Sequence, residues 1–171
     1  MNKKDKIKVL YNHLKFILAG IISLLLISSC IEEKKSINVE NEKILIEETI
    51  RSSIGWAKNK DINLLYSVIA NDSSFLEVHP GNRIVRGFDE FKKAEIFWMS
   101  PDFKAVRYEI RDLQIDISPA GDAAWWFCML DDINVWKGEP ANWENTRWTG
   151  VMEKSKGKWV IVQQHFSFAH E

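Results

Sequence analysis

Thr146-Arg147-Trp148-Thr149-Gly150-Val151 and, after a turn, Gly157-Lys158-Trp159-Val160-Ile161-Val162-Gln163-Gln164-His165-Phe166-Ser167 form the stretch that decides the fold. Both runs are rich in β-branched and aromatic residues, and Ser155-Lys156-Gly157 between them is a turn signal. They read as two long antiparallel strands. Strand period places Trp159, Ile161, Gln163, His165 and Ser167 on one face and Val160, Val162, Gln164, Phe166 and Phe168 on the other. Arg147, Thr149, Val151 and Glu153 align on the neighbouring strand.

Upstream, the same grammar continues. Lys104 to Ile117 alternates with a phase slip near Asp112, as at a bulge. Pro119-Ala120-Gly121-Asp122 turns the chain into a second strand, Ala123 to Trp136, and Gly138-Glu139-Pro140 leads on to residue 143. Before this four-stranded antiparallel meander the pattern is helical. Ile46, Ile50, Ile54 and Ala57 form one stripe of a helix starting near Glu40. Asn59-Lys60-Asp61 breaks it, and Asp61 is an N-cap for a second helix carrying Leu64, Leu65, Val68 and Ile69. Phe75-Leu76-Glu77-Val78-His79 alternates as a short strand ended by Pro80-Gly81-Asn82, and Arg83 to Arg86 pairs back. A third helix is expected from Asp89 to Met99, with Phe91, Ala94, Phe97 and Trp98 inward. About three helices gathered before a sheet define an α+β domain, with the sheet curved over the helices as a cone.

The two C-terminal strands resemble the signature of SnoaL-like domains, in the nuclear transport factor 2 superfamily: Arg-x-Thr-x-Val on one strand, then Gly-x-Trp-x-Ile-Val-x-x-His-x-Ser on the last. Val78-His79-Pro80-Gly81, Arg86-Gly87 and Gly121-Asp122-Ala123-Ala124-Trp125-Trp126 also fit, so the resemblance covers about residues 42–170. It implies a cone-shaped α+β barrel, related to the cystatin-like fold, with a pocket between sheet and helices. It also implies dimerisation through the other face of the sheet. Members include steroid isomerases, polyketide cyclases, dehydratases and pocketed proteins of no known reaction. One departure is Gln163, where many relatives carry a second histidine.

The resemblance puts Arg147, Thr149, Gln163 and His165 inside the cone. His165 is then either an acid–base group or a pocket-wall residue that orients water or ligand. Arg147 is either an oxyanion donor or an ion-pair partner of Glu144 or Glu109. Trp56, Tyr66, Phe75, His79, Trp98, Trp126, Thr149 and Gln163 are the expected pocket lining. His79 is alternatively a turn residue, and Trp98 and Trp126 plain core. Cys128 reads as a buried apolar side chain. With Arg147 and His165 inside, the expected ligand is an amphiphilic acid or carbonyl compound. The apolar face carrying Val160, Val162, Phe166 and Phe168 is expected to pack on a second copy.

The N-terminus reads separately. Five lysines precede residue 16 against one acid, and Phe16 to Ile27 is almost wholly apolar. Twelve residues span roughly 18 Å as a helix, short of a bilayer core. Ile27-Ser28-Ser29-Cys30 resembles the bacterial lipobox, which implies cleavage before Cys30 and lipidation of its thiol. Residues 1–29 are thus expected to be a signal peptide, 30–39 a lipidated tether and 40–171 the pocket domain, anchored in a bacterial cell envelope.

The signal takes five of the 23 basic and one of the 24 acidic residues, leaving 18 against 23. A mildly acidic domain is a poor fit to nucleic acid. With Cys30 lipidated, Cys128 has no partner for an internal disulfide. No phosphate loop, Cys-x-x-Cys, His-Glu-x-x-His or Gly-x-Ser-x-Gly occurs. No cofactor or metal is expected. The reading is a membrane-anchored domain binding a small, largely apolar ligand. The alternatives are an isomerase, cyclase or dehydratase using His165, and a dimerising module with a vestigial pocket.

Overall fold

The computed structural model describes Lys15 and residues 37–169; the signal segment and Cys30 lie outside the described residues. Helix α1 (Val39–Gly55) starts where Asn38 accepts a hydrogen bond from the Asn41 amide, with Glu40 and Glu42 favourably placed in its first turn. Its apolar stripe buries Ile46 and Ile50 completely. A 3-10 turn (Trp56–Lys58) follows. Asp61 then caps α2 (Ile62–Val68), accepting from the Leu64 amide at 3.1 Å.

Short strands β1 (Leu76–Val78) and β2 (Ile84–Arg86) come next. The single helix expected over 89–99 is instead two, α3 (Phe88–Lys92) and α4 (Glu95–Trp98). Between them the Lys93 and Ala94 amides bond carbonyls three residues back, at Glu90 and Phe91, which tightens the coil. Among the described residues no helix is long and apolar enough to cross a membrane.

Four long strands form the meander: β3 (Phe103–Ile117), β4 (Ala123–Trp136), β6 (Trp143–Ser155) and β7 (Lys158–Ser167), with two-residue β5 (Glu139–Pro140) on β4. The sheet order is β2-β1-β7-β6-β4-β3. The sheet is mixed rather than wholly antiparallel, because β1 lies parallel to β7 with Glu77 opposite Gln164. This α+β cone is otherwise the architecture expected from the sequence.

Bulges curve the sheet and set its faces. Asp112 takes a left-handed backbone (φ 54°) where the β3–β4 register shifts between Arg111 and Gln114, so the expected slip is real. Another lies where Val151 and Met152 of β6 face Gln163 and Ile161 of β7, leaving Val162 as an extra residue. After Val162 the buried positions of β7 are Gln164 and Phe166.

The core lies between α1 and the concave face. Trp126 of β4 crosses it and meets Trp148 edge-on at 5.7 Å. Gly150 makes room: a Cβ there would stand 2.0 Å from Trp126 Cη2, so no other residue fits without displacing an indole. At the opposite end from the β4–β6 turn, Glu42 ties α1 to the last hairpin. Lys154 Nζ lies 2.5 Å from its Oε1, and Trp159 Nε1 donates to its Oε2 at 2.7 Å. The Lys154 contact, more than the Trp159 bond, holds the Glu42 carboxyl below its ordinary pKa against the opposing effect of burial. Ile37 packs onto Gly121, so the last residues of the expected tether belong to the folded unit.

Candidate functional site

A cavity of about 560 Å³ opens between the C-terminal end of α1, helices α3 and α4, and the inner face of the sheet. That volume is in the range of small-molecule sites. Its apolar walls include Trp56, Phe91, Phe97, Trp98, Phe103, Trp143 and Phe166. Trp56 and Trp98 meet edge-on at 5.5 Å, as do Trp143 and Phe166 at 5.2 Å.

The remaining wall is polar, and each of its side chains is aimed by strand period. Phe75, Glu77 and His79 alternate on one face of the β1 segment; Phe75 is buried in the core, so Glu77 and His79 follow it inward. Leu130, Asp132 and Asn134 do the same on β4. Opposite Asp132, the β6 register shifts, Asn145 adopts φ 49°, and its amide bonds Asp131 Oδ1 at 2.7 Å. The bulge turns Trp143, rather than Glu144, toward the cavity.

Glu77 is the centre of this wall. Its carboxylate is 5 % exposed as a residue, accepts from Gln164 Nε2 at 2.5 Å through Oε2, and lies 2.5 Å from His79 Nε2 through Oε1. The His79 contact is off-line for a hydrogen bond and becomes an ion pair when the ring is protonated. The His79 ring is held edge-on to Trp143 at 5.6 Å. Gln164 Oε1 and Asn134 Oδ1 are both buried without a donor. The Gln164 amide is fixed by its neighbour, since the opposite orientation would set its oxygen against the Glu77 carboxylate. Burial lifts the Asp132 carboxyl above its ordinary pKa of 3.8, an effect the Asn134 hydrogen bond only offsets.

Of the residues expected in the pocket, Trp56, His79 and Trp98 line it. Phe75 sits behind the wall against Phe91, with ring centres 4.9 Å apart. Tyr66 faces α4, donating to Glu95 Oε2 at 2.7 Å; burial and this carboxylate push its pKa far up. Trp126 is core. The inward placement of Arg147, Thr149, Gln163 and His165 is corrected. Thr149 and Gln163 border a shallow groove on the convex face with Trp125, Phe127 and Val151. His165 pairs with Thr149 across the strands, and Arg147 is exposed. The four do share a face, as the alternation required, but Thr146, Trp148 and Met152 occupy the buried one. Glu109, one expected partner of Arg147, instead lies 3.6 Å from Arg107. Phe166 is correspondingly a cavity residue and not part of an outer face. Cys128 is fully buried, and its thiol is pushed up to about 12 by desolvation. Among the described residues no group of three His, Cys, Asp or Glu side chains is placed to hold a metal ion.

A curled sheet closed by helices around a polar-bottomed cavity is the plan of the nuclear transport factor 2-like fold. The family model described as a SnoaL-like domain matches residues 46–171, and the chain belongs to that family. No curated protein sequence matches it. Similar solved structures include an NTF2-like protein from Streptomyces avermitilis assigned provisionally as a dehydratase, 15 % identical, covering 78 % of this chain and 100 % of that one with a TM-score of 0.67. An NTF2-like protein from Cytophaga hutchinsonii is 14 % identical over 74 % of this chain and 98 % of its own, with a TM-score of 0.61. One with a cystatin-like fold from Novosphingobium aromaticivorans is 12 % identical over 76 % and 83 %, with a TM-score of 0.58. At these identities the likeness is one of fold.

The raised Asp132 pKa carries a stability consequence with a definite sign. Below about pH 3.8 the carboxyl is protonated in both folded and unfolded chains and costs nothing. As pH rises past that value the unfolded chain ionises first, so the folded state loses stability until its own, higher pKa is passed. Asp132→Asn should therefore raise the melting temperature at about pH 8, and the gain should shrink as pH falls toward 4. A pH series of thermal melts on both proteins measures it; a gain that does not change with pH would contradict an uncompensated buried carboxyl.

Proposed function

We propose that this protein binds a small amphiphilic molecule in the cone cavity, at the surface of a bacterial membrane to which lipid on Cys30 holds it. The observation that supports this reading is the division of the cavity wall. Aromatic side chains cover one part of it, and Glu77, His79, Asp132, Asn134 and Gln164 converge on the other. An isolated core would not keep five polar side chains together, because each desolvated group without a partner costs stability. A bound molecule with a polar head and an apolar body satisfies both parts.

A neutral solvatochromic dye, prodan, reports on the cavity without engaging its charges. It should bind the full-length chain saturably with a blue-shifted emission. Ala141→Trp, which places an indole in the cavity from its lining, should abolish that binding while leaving the melting transition cooperative. Equal dye binding by both proteins would rule out the cavity as the site.

The anchor rests on the charged start, the short apolar run and Ile27-Ser28-Ser29-Cys30. Cys30→Ser should remove acyl labelling and leave the folded domain intact. Intact-mass analysis of the wild type showing an unmodified N-terminus elsewhere would refute it.

The convex face is the surface through which we infer that two copies pair. Trp125 and Val151 are cross-strand partners there, 48 % and 37 % exposed. A charge between them would be left unpaired in an apolar contact. Trp125→Glu should therefore convert a dimer to monomer in sedimentation; a wild type already monomeric at high micromolar concentration would end the idea.

A further inference from the structure

The charge balance of the cavity wall says which head group fits. Two carboxylates line the cavity, Glu77 and Asp132. Among the described residues Glu77 has one neighbour able to carry positive charge, the His79 ring when protonated, and Asp132 has no ion-pair partner. Lys93 and Arg83 also border the cavity, but both side chains are exposed to water and neither pairs with these acids. Of the atoms of this wall buried without a hydrogen-bond partner, Gln164 Oε1 and Asn134 Oδ1 are acceptors, and the third, His79 Nε2, faces the Glu77 carboxylate. The wall is thus short of both positive charge and hydrogen-bond donors. An ammonium group supplies both, with up to three N–H donors on one compact cation. Trp56, Trp98 and Trp143 supply indole rings, whose faces attract cations and whose apolar surface covers an apolar body.

We propose that the cavity selects molecules carrying an ammonium group on an apolar skeleton, the cation being held by the carboxylates of Glu77 and Asp132. This deepens the binding function proposed above and rests on it. The sign is the reverse of the anionic head group expected when Arg147 was placed inside. An anion in this cavity meets two carboxylates, and the groups that could offset them are His79 and, at the water-exposed border, Lys93 and Arg83, so it is disfavoured. A neutral alcohol offers one donor and no charge, and falls between. The raised pKa of Asp132 agrees with this geometry, being the mark of a buried acid that lacks its cation.

Three probes sharing one ring system separate these cases: tryptamine, tryptophol and indoleacetate. Each is titrated against the full-length chain by isothermal calorimetry at neutral pH. Tryptamine should bind about ten- to a hundredfold more tightly than tryptophol, the span set by a hydrogen bond to a charged group. Indoleacetate should bind most weakly. Asp132→Asn and Glu77→Gln, both close in shape to the native side chains, should each shrink the amine-over-alcohol ratio, tryptamine losing more affinity than tryptophol. Indoleacetate binding as tightly as tryptamine would overturn the proposal, as would equal affinity for the amine and the alcohol, an undiminished ratio in both variants, or no binding of tryptamine. If prodan still binds in any of these cases, the cavity remains a binding site and only its preference for amines has failed.

Discussion

One extra residue in the last strand decides what the cavity is made of. Val162 has no partner in the β6–β7 ladder, and the ladder resumes with Val151 opposite Gln163 and Gly150 opposite Gln164. Because side chains alternate with period two, a single inserted residue moves everything beyond it to the other face. Gln164 and Phe166 are thereby buried, and Gln163 and His165 carried to the convex side. Parallel pairing of β1 with β7 then sets Glu77 directly beside Gln164. The buried carboxylate, its amide donor and the imidazole of His79 all follow from that one register.

Such a wall is costly to keep. A desolvated carboxylate is tolerated in a protein when hydrogen bonds or a counter-charge replace the lost water. Glu77 meets that condition through Gln164 and His79. Asp132 meets it much less well, with burial outweighing the help of Asn134. The contrast with Glu42 is instructive, because the same type of side chain, given Lys154 and Trp159 as partners, is held below its ordinary pKa. Glu42, at the structural end of α1, is paired, and Asp132, in the cavity, is not. Strain of this kind concentrates where a ligand relieves it.

Most of the architecture was legible from residue order. The Ile46–Ile50 stripe, the Asp61 cap, the Asp112 bulge and the hairpin turns all rest on local chemistry, and each recurs in the structure. The bulge at Val162 was not legible, since Trp159-Val160-Ile161-Val162-Gln163-Gln164 alternates equally well with or without a slip. Two signals did point to the right face. Phe75-Leu76-Glu77-Val78-His79 places Glu77 with Phe75, and an aromatic in a short strand packs inward. Gly150 lies in phase with Trp148, and a glycine mid-strand marks a close approach, here by the Trp126 ring. Trp148 and Gly150 on the buried face put Arg147 and Thr149 on the other, against the placement that the family resemblance implies.

The first described residues of the folded unit and its cavity lie at opposite ends of α1. Helix α1 starts beside the β6–β7 hairpin, where Glu42 meets Lys154 and Trp159, and ends at the cavity, where Ser53, Ile54 and Trp56 join the lining. Seventeen helical residues separate those ends by about 25 Å. Cys30 precedes the first described residue of this unit, Ile37, by seven positions, and Ile37 is packed on Gly121 at the hairpin end of the cone. The chain therefore enters the folded unit at the end remote from the cavity.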